Sequence, residues 1–321
     1  MSRESAGVVD VVGVGLNATD TLITLPRFPS LDSKVEFRTS EVLLGGQVAS
    51  AAVACARWGL RARYVGSVGD DAAAELQRAA FAEAGIETHL VAVPNCLSQV
   101  AYILVDGASG ERTILWRRDP RLTLRPEHLQ REWIRNARIL HVDGHDCEAA
   151  ACAAHWAREA GIPVTADVDN LYPGVESLLE NVDYLLASRE FPARLTGEAD
   201  LLRSLPEIAQ RFGCRVAGAT LGRGGAIAWD ARQARFYYSP AYRVETVDTT
   251  GAGDIFHGAL VYGLLAARPH PRLQLRGRGL ELHRARGTRR HPSRGRDRAP
   301  DARRPTPRAD VSSGLKDFWI S

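Results

Sequence analysis

Residues 247–256, the most informative run in this chain, read Val-Asp-Thr-Thr-Gly-Ala-Gly-Asp-Ile-Phe. The small residues Gly251, Ala252 and Gly253 let the backbone turn tightly and approach an anion closely. An apolar run follows them and predicts a helix that begins at this turn. Backbone N–H groups at a helix start favour a phosphate or its transition state. With Asp254 beside them as general base, the motif predicts phosphoryl transfer, and its plainest alternative is a Gly-rich turn capped by an acid.

These residues closely resemble the C-terminal signature of the PfkB/ribokinase carbohydrate kinase family, and the resemblance runs from the first strand to about residue 266. It is nearest to the sulfofructose kinase and ketohexokinase-like branch. The family implies a ribokinase-like α/β fold with a mostly parallel central sheet flanked by helices and a small antiparallel β lid, often a dimer contact. It implies an ATP-dependent kinase for a sugar, here a ketohexose or derivative. Its cofactors would be ATP and Mg²⁺, with Asp248 as a metal ligand and K⁺ as a further candidate ion.

Composition sets broad limits on the class of protein. The chain has 321 residues with 45% apolar content, which suits a globular protein with a sizeable core. No apolar run reaches the ~20 residues of a membrane span, and the N-terminus lacks the long apolar stretch of a signal peptide. The five cysteines show no C-x-x-C spacing. We therefore expect a cytoplasmic protein with reduced thiols and no membrane partner.

The net charge divides between two parts of the chain. After Ala267 there are 15 Lys and Arg against 5 Asp and Glu, whereas the preceding residues hold 26 and 33. The body, residues 1–267, thus has a net charge of −7, and residues 268–321 have a net charge of +10. Since no stacking aromatics interleave with the basic residues, we expect no nucleic-acid partner for the body.

Segments between residues 8 and 220 alternate between strand-like and helix-like patterns, which predicts a mostly parallel sheet with helices on both faces. Residues 34–42 alternate in period two, and residues 97–116 read as a hairpin. We assign these two segments to the β lid. The predicted domains are therefore residues 1–267, the kinase domain with its lid, and residues 268–321, an Arg/Pro-rich tail that we expect to be disordered.

The turn after the first strand has two interpretations. Residues 13–18 match a loose G-x-G-x-x-A dinucleotide pattern, but Pro26 and Pro29 would break the helix that the pattern requires. In the resembled family this turn holds the sugar instead, so Asn17 and Asp20 would hydrogen-bond substrate hydroxyls. The alternative is an Asx turn that ends the strand.

Two further segments are candidates for the sugar site. The pair Gly45-Gly46 opens a small-residue helix and resembles the first family signature, with Gln47 and Ser50 where other members commonly carry Asn or Lys and Asn. The departure leaves the identity of the sugar open. The other segment follows a strand of the main sheet, where open α/β sheets bind ligands, and it contributes the two candidates Asp143 and His145.

Two segments resemble the nucleotide side of the family's site. In the N-x-x-E stretch, which helps organise Mg²⁺ and phosphate, Ser188 replaces Asn and Glu190 is offset by one residue. The turn Thr220 to Gly225 resembles the loop T-x-G-x-x-G, in which Thr220, Gly222 and Gly225 would bind ATP because glycine lets backbone N–H groups approach phosphates.

Three rival functions stay open at this point. One is a nucleoside kinase of the same fold, the second a non-catalytic or truncated relative with little activity, and the third a dinucleotide-binding oxidoreductase. The chain contains no Walker loop and no protein-kinase H-R-D or D-F-G set, which excludes those phosphotransferases. The sequence names neither the sugar nor the hydroxyl that is phosphorylated, nor the oligomeric state, although the lid predicts a homodimer.

The tail, residues 268–321, contains 14 Arg and almost no apolar periodicity, so it cannot bury a core. When residues 273–291 are back-translated with GC-rich codons and shifted by one base, one permitted product is FNFAAAALNCTALGARGGI. This peptide resembles the family segment that would contact adenine. We therefore predict a frameshift near codon 268, and the alternative is a genuine basic tail that binds nucleic acid or an acidic partner.

Overall fold

The computed structural model describes residues 8–242 and 249–266. Its strands are β1 Val9–Val14, β2 Ala18–Leu25, β3 Thr39–Gly45, β4 Ala62–Val68, β5 Glu87–Ala92, β6 Val100–Asp106, β7 Arg112–Arg117, β8 Ala137–Asp143, β9 Val164–Val168, β10 Tyr184–Ala187, β11 Val216–Thr220, β12 Ala226–Asp230 and β13 Arg235–Ser239. Its helices are α1 Gln47–Arg57, α2 Ala72–Glu83, α3 Arg131–Arg135, α4 Cys147–Glu159, α5 Val175–Leu179, α6 Phe191–Thr196, α7 Leu201–Phe212 and α8 Ala252–Ala266.

Nine strands form the central sheet of the described residues, in the order β13-β12-β11-β10-β9-β8-β1-β4-β5. All neighbours from β11 to β5 are parallel, and β12 and β13 add an antiparallel edge. The predicted ribokinase-like α/β class is confirmed. Because the parallel strands share one direction, the loops that follow β8, β9, β10 and β11 lie at one edge of the sheet.

Helices cover both faces of this sheet, as shown by the residues of β1, which face its two sides in turn. Val12 and Val14 belong to the core cluster that α4 completes. Val11 and Gly13 point to the opposite face, where they meet residues of α1 and α8. Helix α8 also packs against β8 and β9, so the central sheet holds this helix in place.

The second sheet is small and has the order β3-β2-β6-β7. Its β2–β3 and β6–β7 pairs are antiparallel, whereas β2 and β6 pair in parallel. The hairpin predicted in residues 97–116 is present as β6 and β7. The strand predicted at residues 34–42 instead begins at Thr39, and only its last residues belong to β3.

Strand β2 is the element that sequence reasoning missed. Pro26 and Pro29 had been taken as breakers of a helix, but they follow a strand that ends at Leu25. The β-branched residues of this segment favour a strand, and proline after its end removes no ladder hydrogen bond. The lid therefore contains one more strand than predicted.

Two expectations fall outside the described residues: the assignment of Asp248 as a metal ligand and every statement about the tail. Among the helices within residues 8–242 and 249–266, none is long and apolar enough to cross a membrane.

Candidate active site

The Gly-rich turn lies directly before α8. Gly251 adopts the left-handed region with φ 73°, which favours glycine, and α8 begins at the next residue. The N–H of Ala252 donates to the Thr249 carbonyl at 3.2 Å. Ala252 and Gly253 are both exposed. Since the first N–H groups of a helix lack intrahelical acceptors, this end of α8 can receive an anion.

Asp254 lies in the first turn of α8 and is half-buried. Burial raises the pKa of its carboxyl to about 7, and the negative charge of Asp167 adds to this increase. A hydrogen bond from Ser50 and the charge of His257 act in the opposite direction, while Asp20 raises the pKa further. A carboxyl with a pKa near the operating pH is suited to general base catalysis.

Asp20 extends from β2 over the Gly45-Gly46 pair. A Cβ atom on Gly45 would lie 2.0 Å from Asp20 Oδ2, so only glycine allows the carboxylate this position. Burial raises the pKa of Asp20 to about 6. Because Asp20 also acts on the charge of Asp254, the two carboxyl groups predicted for substrate and catalysis face one region.

Helix α1 brings two more predicted residues to this region. Its N-terminal residue is Gln47, preceded by Gly46 with φ 99°. The Oε1 atom of Gln47 is buried and has no hydrogen-bond partner among the described residues, which leaves an acceptor for a ligand hydroxyl. Ser50, one turn later, hydrogen-bonds Asp254.

The side chain of Asn17 forms its hydrogen bonds with other residues of the protein and does not face an open site. Its Nδ2 donates to the Ser67 carbonyl at 2.9 Å and to Gln77 Oε1 at 2.5 Å, and the Tyr64 hydroxyl lies 2.8 Å from its Oδ1. Both amide hydrogens are therefore occupied. We assign Asn17 to holding the turn after β1 and not to contact with a sugar.

Asp143 has a similar structural role. It is fully buried, and its two oxygens accept from the Leu16 N–H at 2.7 Å and the His145 N–H at 3.0 Å. These bonds join the turn after β1 to the end of β8. His145 lies beside it, with Nε2 3.3 Å from the Tyr172 hydroxyl. The structure thus places both residues at the correct sheet edge, but Asp143 offers no free surface.

The predicted nucleotide-side residues follow two adjacent strands. Ser188 follows β10 and its Oγ donates to the Asp169 carbonyl at 3.0 Å. Thr220 ends β11, and its Oγ1 lies 3.4 Å from the Ala187 carbonyl. The turn beyond it contains Gly222 and Gly225, both with positive φ. The structure brings these residues to one edge of the sheet.

Glu190 is exposed at the start of α6 and is free to face solvent or a bound phosphate. In the described part of the chain, no group of three or more His, Cys, Asp or Glu residues could hold a metal ion alone. Mg²⁺ commonly binds through one or two carboxylates together with substrate phosphates and waters. A single carboxylate such as Glu190 therefore fits Mg²⁺ that arrives with ATP.

Sequence reasoning did not identify the residues beneath Asp254. His257 Nε2 lies 3.2 Å from Asp167 Oδ1, and both side chains are buried. The ring of His141 stacks on His257 with centroids 5.6 Å apart. One signal was available, because His257 follows Asp254 by three residues and so lies on the same face of a helix.

The lid also reaches the catalytic turn. Arg112, at the start of β7, donates to Thr249 Oγ1 at 2.5 Å. Thr249 lies two residues before Gly251, so the lid contacts the chain just before the Gly-rich turn.

Comparison with known proteins places the chain among kinases. Residues 10–281 match the model of the pfkB family carbohydrate kinases. The match includes the Gly-rich turn with Asp254, and it ends within the tail, beyond the boundary at residue 267 predicted from sequence.

Individual relatives agree with this match. An ATP-dependent ribose-1-phosphate kinase of Halopiger xanaduensis is 30% identical over 258 residues, covering 79% of this chain and 84% of the relative. Fructokinase-1 of Oryza sativa subsp. japonica is 31% identical over 242 residues, covering 68% and 72%. A crystal structure of an Agrobacterium tumefaciens protein assigned to the ribokinases superimposes with a TM-score of 0.74 at 30% identity, covering 80% of this chain and 86% of that one.

Proposed function

Since the chain belongs to the pfkB family of carbohydrate kinases, we propose that it transfers the γ-phosphoryl group of MgATP to a hydroxyl of a ketohexose or ketohexose derivative. The coarser activity, phosphoryl transfer from ATP to a carbohydrate or nucleoside, follows from family membership. One observation carries the proposal: the carboxyl of Asp254, with its pKa raised to about 7, lies at the exposed N-terminus of α8.

The reaction follows from this arrangement. The sugar hydroxyl donates its proton to Asp254 as its oxygen attacks the γ-phosphorus, and the bond from phosphorus to the β–γ bridging oxygen breaks to release ADP. The N–H groups of the Gly251–Gly253 turn would hold the charge that spreads over the phosphoryl oxygens. Since the pKa of Asp254 is about 7, a substantial fraction of this carboxyl is ionised at neutral pH.

A neutral polyol suits the sugar side of the site. Asp20, Gln47 and Ser50 offer oxygen atoms that accept hydrogen bonds from hydroxyl groups, and within residues 8–242 and 249–266 the buried Oε1 of Gln47 has no partner. A relative of this chain is a fructokinase by name, which favours a ketohexose. We propose that these three side chains select the sugar hydroxyls.

On the nucleotide side, Ser188, Thr220, Gly222 and Gly225 would bind ATP, and Glu190 would hold Mg²⁺ through water. When bound, Mg²⁺ supplies positive charge to the phosphates. Activity that survives removal of divalent ions with EDTA would contradict this assignment. Exchange of K⁺ for Na⁺ at constant ionic strength tests whether K⁺ also contributes.

A phosphorylation screen tests the function. ATP consumption is measured with ketohexoses, aldohexoses, pentoses and nucleosides, each with a no-sugar control. We expect a ketohexose to give the highest kcat/KM. A nucleoside that exceeds every sugar would replace our proposal with the nucleoside kinase, and NAD binding without ATP binding would favour the oxidoreductase.

We propose that the tail results from a frameshift and that the product as written binds ATP weakly and turns over slowly. The support is compositional, because the 14 Arg residues of the tail interrupt a family-like chain. One base inserted or deleted near codon 268 should restore kinase activity. The proposal fails if neither alternative frame encodes a family-like peptide, or if the chain as written is fully active.

We also propose a homodimer formed through the lid. Exposed apolar side chains on its strands would support such a contact: Val42, Leu43, Tyr102, Leu115 and Trp116. Trp116→Glu should shift a dimer to a monomer in sedimentation, whereas Tyr238→Glu, on the far edge of the central sheet, should not. A monomer in the unaltered chain would contradict the proposal.

The cysteines bear on the compartment. All five are unpaired, and four of them are buried. Free thiols persist in reducing compartments, so we propose a cytoplasmic location. Recovery of the native protein from a secreted fraction would contradict it.

A further inference from the structure

A buried charged cluster lies against the first turns of α8. Asp167, on β9, accepts a hydrogen bond from His257 Nε2 at 3.2 Å, and the ring of His257 is 2% exposed. On its other side His257 stacks with His141 of β8, whose Nδ1 lies 2.9 Å from Thr165 Oγ1. The cluster thus joins α8 to two neighbouring strands of the central sheet.

The charges within the cluster can be assigned. Burial acts to raise the pKa of Asp167, but the charge and hydrogen bond of His257, together with the nearby His141 and His145, bring this pKa below its ordinary value. Burial, together with the charge of His257, lowers the pKa of His141 to about 3, so His141 is neutral at physiological pH. Asp167 therefore brings a negative charge beneath α8, and the ring of His257 is its hydrogen-bond partner there.

This cluster acts on Asp254, one turn before His257. Four side chains from four elements influence the Asp254 carboxyl: Asp20 of β2, Ser50 of α1, Asp167 of β9 and His257 of α8 itself. On α1, the Cys55 thiol bonds the Gly258 carbonyl and is neutral, because burial raises its pKa to about 12. The charges of Asp167 and His257 have opposite effects on proton binding by Asp254.

We propose that Asp167 and His257 are positioning residues for phosphoryl transfer: the hydrogen bond between them fixes the first turns of α8 against β9 and so holds Asp254 in place at the start of this helix. This inference rests on the proposed function, since it assigns the pair to the base of that reaction. It differs from a purely structural role, because neutralising the two residues one at a time has opposite consequences for Asp254.

The test is an NMR titration of the full chain that contains aspartate labelled with ¹³C at the carboxyl carbon. The resonance of Asp254 is identified by its loss in Asp254→Asn. Asp167→Asn keeps the shape and removes the negative charge, so the midpoint of Asp254 should fall by about one pH unit. His257→Gln keeps a donor near the Nε2 position and removes the ring whose charge lowers the pKa of Asp254, so the midpoint should rise, by less than it falls in Asp167→Asn.

The control is His155→Gln, which removes an exposed histidine of α4 and should leave the Asp254 midpoint unchanged. In the double variant Asp167→Asn/His257→Gln the midpoint should lie between those of the two single variants. Where the protein turns over, the acidic limb of the kcat profile should move with each midpoint, with little change in the KM for sugar.

Shifts in the same direction, or none in either single variant, would overturn the proposal. If one variant does not fold, as judged by circular dichroism, the sign of the shift in the other still decides. The titration needs no turnover, so a frame-restored protein without kinase activity would contradict the proposed function while leaving this test intact.

Discussion

Replacing Asp20 with Ala tests the placement of the sugar. The Asp20 carboxylate lies so close to Gly45 that an added Cβ would be 2.0–2.5 Å from its three carboxyl atoms, and burial raises its pKa to about 6. A hydrogen bond from a sugar hydroxyl to such a group contributes about 1–3 kcal/mol, so its loss should raise the KM for sugar about 5- to 150-fold. The KM for ATP should change little.

The assay uses initial rates with the frame-restored protein, first at saturating ATP with varied sugar and then the reverse. Gly45→Ala is the companion variant, because its methyl group would displace the carboxylate and should raise the same constant. Glu41→Ala is the control, since Glu41 lies on the same small sheet but is exposed. Equal increases in both constants for Asp20→Ala would refute the assignment to the sugar side.

Three further predictions concern single substitutions. Asp254→Asn should stabilise the protein by about 1–3 kcal/mol above pH 7, because the native carboxyl has its pKa raised from 3.8 to about 7 and binds a proton more tightly than in the unfolded chain. This gain should disappear below about pH 4, where Asp254 is protonated in both the folded and the unfolded parent protein. Urea unfolding measures the difference in free energy of unfolding between the variant and the parent, and a difference that is the same at both pH values would contradict the prediction. Gly225→Ala should raise the KM for ATP at least about fivefold, because φ is 93° and the new Cβ would lie 2.0 Å from the Ser239 carbonyl; an unchanged KM would remove this turn from the ATP site. Gly46→Ala should lower the melting temperature, since φ is 99° and its Cβ would lie 2.4 Å from the Leu16 carbonyl, and a wild-type melting curve would contradict this.

Features with a local signal could be predicted from the sequence. The turn at Gly251–Gly253 and the start of α8 follow from small residues before an apolar run. Helix α2 begins where Asp71 Oδ1 accepts the Ala74 N–H at 3.1 Å, and α4 is followed by Gly161 with φ 70°. The parallel sheet was predictable because β-branched runs alternate with helical periodicity.

Features that depend on distant partners could not be predicted. Asn17 reads as a free amide in the sequence, yet residues 50 and 60 positions away use both of its hydrogens. Asp167 and His257 are ninety residues apart, so nothing local indicates that they pair. Strand β2 was obscured by prolines whose effect depends on whether they interrupt an element or follow it.

The most direct test of the central claim is the turnover of Asp254→Asn in the frame-restored protein. The substitution keeps the shape of the side chain and removes its capacity to accept the proton of the sugar hydroxyl. Our account predicts an unchanged fold, a Kd for ATP close to that of the parent protein, and a kcat lower by at least ~10²-fold, the lower end of what a positioned base contributes. A kcat close to that of the parent would contradict the assignment of Asp254 as the base.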